Sequence, residues 1–203
     1  MKTMHLAAFL VLTAAALAAD TKPLLDGNGD LPVIAAPGFN EPLDSTWSIA
    51  KGSWTPAKGV LTAAELPADK HVAVLHHKVG LATAVIELDF RLDGSPSIII
   101  GCDGKSHIGR VSVSSTAMNI AEDSVKPSHT IATLKTATAP GEWHHLRVEW
   151  KGDQMAASLD GHELRAQHAF LATPKARSWI AVGKSNAQVR GLKINGVKTE
   201  TKP

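Results

Sequence analysis

One stretch constrains the fold of this chain more than any other. In Ala84-Val85-Ile86-Glu87-Leu88-Asp89-Phe90-Arg91-Leu92, the residues Ile86, Leu88, Phe90 and Leu92 alternate with Glu87, Asp89 and Arg91. A period of two puts the apolar set on one face of an extended strand and the charged set on the other, whereas a helix would scatter both around its axis. A second stretch repeats the pattern. In Trp143-His144-His145-Leu146-Arg147-Val148-Glu149-Trp150, the residues Leu146, Val148 and Trp150 face inward and His145, Arg147 and Glu149 face outward. The rest of the chain breaks into similar short runs at 46–50, 53–56, 60–65, 71–78, 98–102, 108–114, 118–121, 130–134, 154–159, 162–165, 179–184 and 189–194. Gly, Pro, Asp, Lys and Ser punctuate them at the spacing of an all-β sandwich. Lys151-Gly152-Asp153 and Asp160-Gly161 are hairpin turns. No segment beyond the first eighteen residues carries a 3.6-residue stripe, so the expected fold is all-β, built of two antiparallel sheets over one core.

The amino terminus reads as an address rather than as structure. One lysine in the first five residues precedes the apolar run Leu6 to Leu17, and small residues follow at Ala16-Leu17-Ala18. That is the layout of a secretory signal peptide, with an apolar run too short to span a bilayer as a helix. Residues 1–18 are therefore expected to be cleaved near Ala18, giving a secreted or periplasmic protein with no membrane anchor. Residues 19–44, rich in Pro, Gly, Asn and Asp, read as an extended lead-in segment; residues 45–197 form the domain and 198–203 a tail. Asp26-Gly27-Asn28-Gly29-Asp30 resembles a calcium loop only briefly, because Leu31 stands where such a loop needs glycine. The 203 residues suit one domain, and 21 Lys+Arg against 19 Asp+Glu are too balanced for a nucleic-acid surface. Cys102 is the sole cysteine, so no intrachain disulfide can form, and its place after Ile98-Ile99-Ile100-Gly101 marks it as a core residue. The pairs His76-His77 and His144-His145 cannot jointly grip a metal, since neighbours on a strand face opposite sides. No cofactor or metal is expected, and the sequence leaves oligomeric state and calcium binding open.

The order of motifs resembles a known family. Trp47-Ser48-Ile49 with Gly52-Ser53-Trp54 and Lys58-Gly59-Val60-Leu61, then Ile86 to Leu92, then Gly141 to Val148 with Leu159-Asp160-Gly161, and finally Val189-Arg190-Gly191-Leu192-Lys193-Ile194, resemble the 3-keto-disaccharide hydrolases. These are concanavalin A-like jelly rolls, akin to laminin-G-like domains and to the family 16 glycoside hydrolases. The resemblance implies a jelly-roll sandwich acting on a carbohydrate, by hydrolysis of glycosidic bonds or, alternatively, as a non-catalytic carbohydrate-binding or laminin-G-like adhesion module. Two departures bear on the choice. The Asn-Ser-Gly turn often present after the family's central strand is replaced by Gly94-Ser95-Pro96-Ser97. Glu87 and Asp89 match the first two carboxylates of the family 16 strand, but Arg91 occupies the third, and a guanidinium cannot alternate as acid and base.

Under this resemblance the catalytic candidates are Glu87, Asp89 and His145, with His107 a further acid/base group. Arg91, Arg147, Glu149, Trp143 and Trp179 are candidates for substrate contact. Against this stands the plain reading of the same residues as a solvated ladder of cross-strand charge pairs. Of the five tryptophans, Trp47, Trp54 and Trp150 are expected in the core, which leaves Trp143 and Trp179 for stacking on a sugar.

Overall fold

The computed structural model describes residues 22–200, so the leader reading lies outside the described residues. The strands are β1 (Val33–Ala35), β2 (Trp47–Lys51), β3 (Ser53–Ala57), β4 (Val60–Ala64), β5 (Ala73–His77), β6 (Leu81–Asp93), β7 (Ser97–Asp103) and β8 (His107–Ser114). There follow β9 (Ala117–Glu122), β10 (His129–Lys135), β11 (His144–Lys151), β12 (Gln154–Leu159), β13 (His162–Gln167), β14 (Arg177–Val182) and β15 (Asn186–Lys198). Helix is confined, among the described residues, to two 3-10 turns at Pro67–Asp69 and Ala169–Ala172. None is long and apolar enough to cross a membrane.

The strands form two antiparallel sheets, as the alternation requires. The first runs β13-β12-β11-β6-β15-β4-β3, with β1 added on β15; the second runs β10-β9-β8-β7-β14-β5-β2. The two long alternating segments turn out to be neighbours. In the β6–β11 register Leu88 opposes Leu146, Ile86 opposes Val148 and Ala84 opposes Trp150, so the apolar faces coincide. A slip of one residue would turn both sets to the wrong side, which is why alternation on two strands fixes their pairing. These residues meet Ile98, Ile100, Val111 and Ile120 of the second sheet in one buried cluster. Each fully buried aliphatic side chain there contributes about 1.5–3 kcal/mol. Trp47, Trp54 and Trp150 are buried in it as expected, and the Trp150 indole donates to the carbonyl of Leu81 at 3.1 Å. At Asp160-Gly161 both residues adopt positive φ, 48° and 85°, the conformation a two-residue hairpin of type I′ demands.

The lead-in segment is more than a loop. β1 pairs with β15, the Gly196 amide donates to the Pro32 carbonyl at 3.0 Å, and the Asn195 side-chain amide donates to the Leu31 carbonyl at 2.7 Å. Further upstream, Leu24 and Leu25 are buried against Ala156 on the outer side of the first sheet. The segment thus straps the outer face of that sheet, and Pro- and Gly-rich composition concealed a strand only three residues long.

Candidate functional site

The charged residues of β6 and β11 stand side by side on the outer face of the first sheet, where His145 opposes Asp89 and Arg147 opposes Glu87. Glu149 is fully buried there, because the strap descends on it. Its carboxylate accepts from the backbone amides of Leu24 and Leu25 at 2.9 and 3.0 Å, from the Asn28 side chain at 2.9 Å and from Arg147 Nε at 2.6 Å. Arg147 in turn donates to Glu87 at 2.6 Å. Burial alone would lower the Arg147 pKa, but Glu149 and Glu87 outweigh it and raise it. Asp89 accepts from Arg190 Nε at 3.1 Å and pairs with His145 Nδ1 at 2.9 Å, and Arg91 turns to Asp93 at 3.2 Å. Trp143 lies beside them, with the guanidinium of Arg190 4.1 Å and that of Arg91 5.3 Å from its ring centroid. On this face each carboxylate is matched to a cation, and Glu149 and Arg147 are closed off from solvent by the strap.

The outer face of the second sheet is organised differently. Alternation along β7 sends Ile98, Ile100 and Cys102 into the core and Ile99, Gly101 and Asp103 outward; along β14 it sends Arg177, Trp179 and Ala181 outward. Register then aligns His76, Trp179, Gly101 and Arg110 in one row, with Arg177 and Asp103 adjacent in the next. Asp103, only 1% exposed, organises the centre. Its Oδ1 accepts from the Trp179 indole at 2.7 Å and pairs with His107 Nδ1 at 2.7 Å, while its Oδ2 accepts from Arg177 Nε at 3.1 Å. A carboxylate on Nδ1 makes that nitrogen the donor and leaves Nε2 as the acceptor of a neutral ring. The His107 and Trp179 rings are 5.5 Å apart between centroids. Trp179 itself packs with Val74 and Ala181 in a small apolar cluster outside the main core, with 7% of its surface exposed. One row further along, both oxygens of Asp123 accept from Arg110 Nη1 at 2.7 Å, and Ser128 donates to the same carboxylate. Burial pushes Asp123 up, but the hydrogen bonds from Ser128 and Arg110 prevail and its pKa is lowered. His76 is lowered first by burial and then by the positive charge of Arg177, against the opposing pull of Asp103.

The second sheet therefore gathers Asp103, His107, Arg177 and Trp179, of which sequence reasoning named only His107 and Trp179. The signal was present in the alternation Ile99-Gly101-Asp103 and Arg177-Trp179, but nothing in a single strand says that the two lie side by side. The paired histidines separate as strand geometry requires: His77 is buried in the core while His76 joins the outer row. Among the described residues no group of three or more His, Cys, Asp or Glu is placed to hold a metal ion. A groove of about 460 Å³, lined by Trp47, Trp54, Ile49, Pro42 and Leu43, opens at the β2–β3 edge, away from both polar networks.

No family model matches the sequence. Nor does any curated protein. Solved structures do resemble the fold. The carbohydrate-binding module CBM66 from Bacillus subtilis superposes with a TM-score of 0.63 at 14% identity, over 74% of this chain and 96% of that one. The CBM2 module of the evolved Dit protein of Lactobacillus casei BL23 phage J-1 gives a TM-score of 0.63 at 8% identity, over 84% and 98%. A protein from Parabacteroides distasonis ATCC 8503, provisionally assigned as a glycosyl hydrolase, gives 0.54 at 13% identity, over 75% and 89%. At these identities the likeness is one of fold, and the chain is an all-β jelly-roll sandwich of the concanavalin-like and galectin-like kind.

Proposed function

We propose that this protein is an exported glycan-binding jelly roll whose recognition surface is the outer face of the second sheet, centred on Asp103, His107, Trp179 and Arg177. The observation that carries the reading is the Asp103 network. A buried carboxylate there fixes an indole, an imidazole and a guanidinium at once. Such a preset group of polar edges is what sugar hydroxyls require, with Trp179 acting as a buried support for it rather than as the stacking platform expected from the sequence. The kinship in fold with carbohydrate-binding modules is consistent with it. Retention of a glycosidic bond fits the arrangement better than its cleavage by two carboxylates. That mechanism needs a pair of acids facing one glycosidic oxygen, whereas the side chains of Asp103 and Asp123 are only 2% and 1% exposed.

One observation favours a second reading, hydrolysis of the kind the 3-keto-disaccharide resemblance implies. His107, half-exposed, has its Nδ1 oriented by Asp103 and its Nε2 left over, which is the form of a positioned general base. A ketone at C3 acidifies the neighbouring C2–H, so one base suffices to begin loss of the C1 substituent from such a sugar. The test is binding to a glycan panel by titration calorimetry, run beside product release from plain and 3-keto glycosides. Binding without product is the expected outcome. Product release that disappears in His107→Ala replaces it with the second reading, and a protein that neither binds nor cleaves any glycan overturns both.

A further inference from the structure

We infer that the glycan taken by the second sheet's outer face is acidic, a chain of carboxylated sugars; the inference rests on the glycan-binding reading above. The argument is one of depth. The acids on this face, Asp103 and Asp123, have side chains 2% and 1% exposed, whereas the bases around them reach solvent: His107 at 52%, Arg177 at 41% and Arg110 at 25%. Lys105, on the turn between β7 and β8, is exposed beside them. The remaining outward residues of the central rows, Ser112, Asn119, Ile99, Val74 and Ala181, carry no charge. A ligand approaching from solvent therefore meets guanidinium and imidazole edges, with the compensating carboxylates behind them.

That layering separates this face from the first sheet, where Asp89 and Arg190 are exposed together, at 32% and 46%, and present both signs. It also defines the contact. Arg177 commits Nε to Asp103, which leaves the terminal nitrogens of the guanidinium fork for a carboxylate. Arg110 spends Nη1 on Asp123 and has Nη2 in reserve. The buried acids act as positioning groups, holding each fork against the sheet so that little side-chain entropy is lost on binding.

The experiment compares polygalacturonate oligomers with their fully methyl-esterified counterparts, which share sugar, linkage and shape but not charge, alongside a neutral glucan. Carboxylated oligomers are expected to bind about tenfold more tightly than the ester, the worth of one charge-assisted contact, and to weaken as salt is raised. Arg177→Gln, with its fold checked by circular dichroism, is expected to erase most of the difference. Equal affinity for acid and ester, or a preference for the neutral glucan, overturns this inference and leaves the glycan-binding reading standing. Absence of binding to every glycan overturns the reading beneath it. Because the ligand comparison is made on the wild-type protein, its outcome does not depend on the variant folding.

Discussion

The indole of Trp179 covers Gly101 so closely that a Cβ at position 101 would sit 2.2 Å from the ring. The contact is permitted only because Gly101 has no side chain, and it sets the height at which Trp179 meets Asp103. Gly101→Ala must lift or tilt the indole. Overpacking of this sort costs about 1–3 kcal/mol. The expected result is a lower melting temperature, an altered tryptophan emission and weaker glycan binding, with the circular dichroism of the sandwich unchanged. Unaltered emission and affinity would show that Trp179 does not define the site.

Glu149 anchors the strap. Its carboxylate is the common acceptor for Leu24, Leu25, Asn28 and Arg147, so Glu149→Ala leaves three strap donors without their partner and the buried Arg147 guanidinium with Glu87 alone. Breaking one side of a buried ion pair costs about 3–5 kcal/mol. Limited proteolysis is the direct measurement: cleavage between residues 22 and 31 should be slow in the wild type and rapid in the variant, while residues 45–197 stay resistant. Equal rates would mean that β1 and the Asn195 contact hold the segment unaided.

The two polar faces show how far a single sequence reaches. Alternation gave β6 and β11 their inner and outer sides, and the register of Asp89 with His145 and of Glu87 with Arg147 follows from pairing the apolar sets. What alternation does not encode is what lies above a face. Glu149 carries the same pattern as Glu87, and its burial depends on Leu24 and Leu25, more than 120 residues away in sequence. Nor does it encode which strands from distant parts of the chain become neighbours. Asp103 and Trp179 are 76 residues apart, and although Trp179 stands out as a candidate in its own strand, nothing there points to Asp103 as its partner. The fold was readable because it is written in local periodicity, and the site was only half readable because it is made by juxtaposition.

Cys102 should be inert in the native state. Burial pushes its thiol up to about 12, and its Sγ sits 3.6 Å from the carbonyl of Gly109. The thiolate is the reactive form, so a disulfide-exchange reagent at pH 8 should label the folded protein no faster than the protein unfolds and label the denatured chain at once. Rapid labelling without denaturant would place the thiol within reach of solvent.

Stability should fall in mild acid, and His77 is a principal cause. Its ring is 1% exposed, packs 4.7 Å from Trp47 between centroids, and neither nitrogen finds a hydrogen-bond partner among the described residues. Burial lowers its pKa, with Asp44 pulling the other way. The unfolded chain takes up a proton near the ordinary histidine value of 6.5, while the folded chain resists until the pH is lower. Between those two values the unfolded state binds more protons, so stability is complete above 6.5 and declines as pH falls through the window. The slope is at most about 1.4 kcal/mol per pH unit for each such histidine. His76 is shifted in the same direction and adds its own share. Asp123, whose pKa is lowered, acts in a separate window: its contribution is present above its ordinary value of 3.8 and is lost only in stronger acid. Urea unfolding at pH 7.5, 6.5 and 5.5 should therefore show a progressive loss, and His77→Leu should reduce that slope while leaving the part due to His76. A wild-type stability that is flat from pH 7.5 to 5.5 would mean that His77 is protonated as readily in the folded protein as in the unfolded chain.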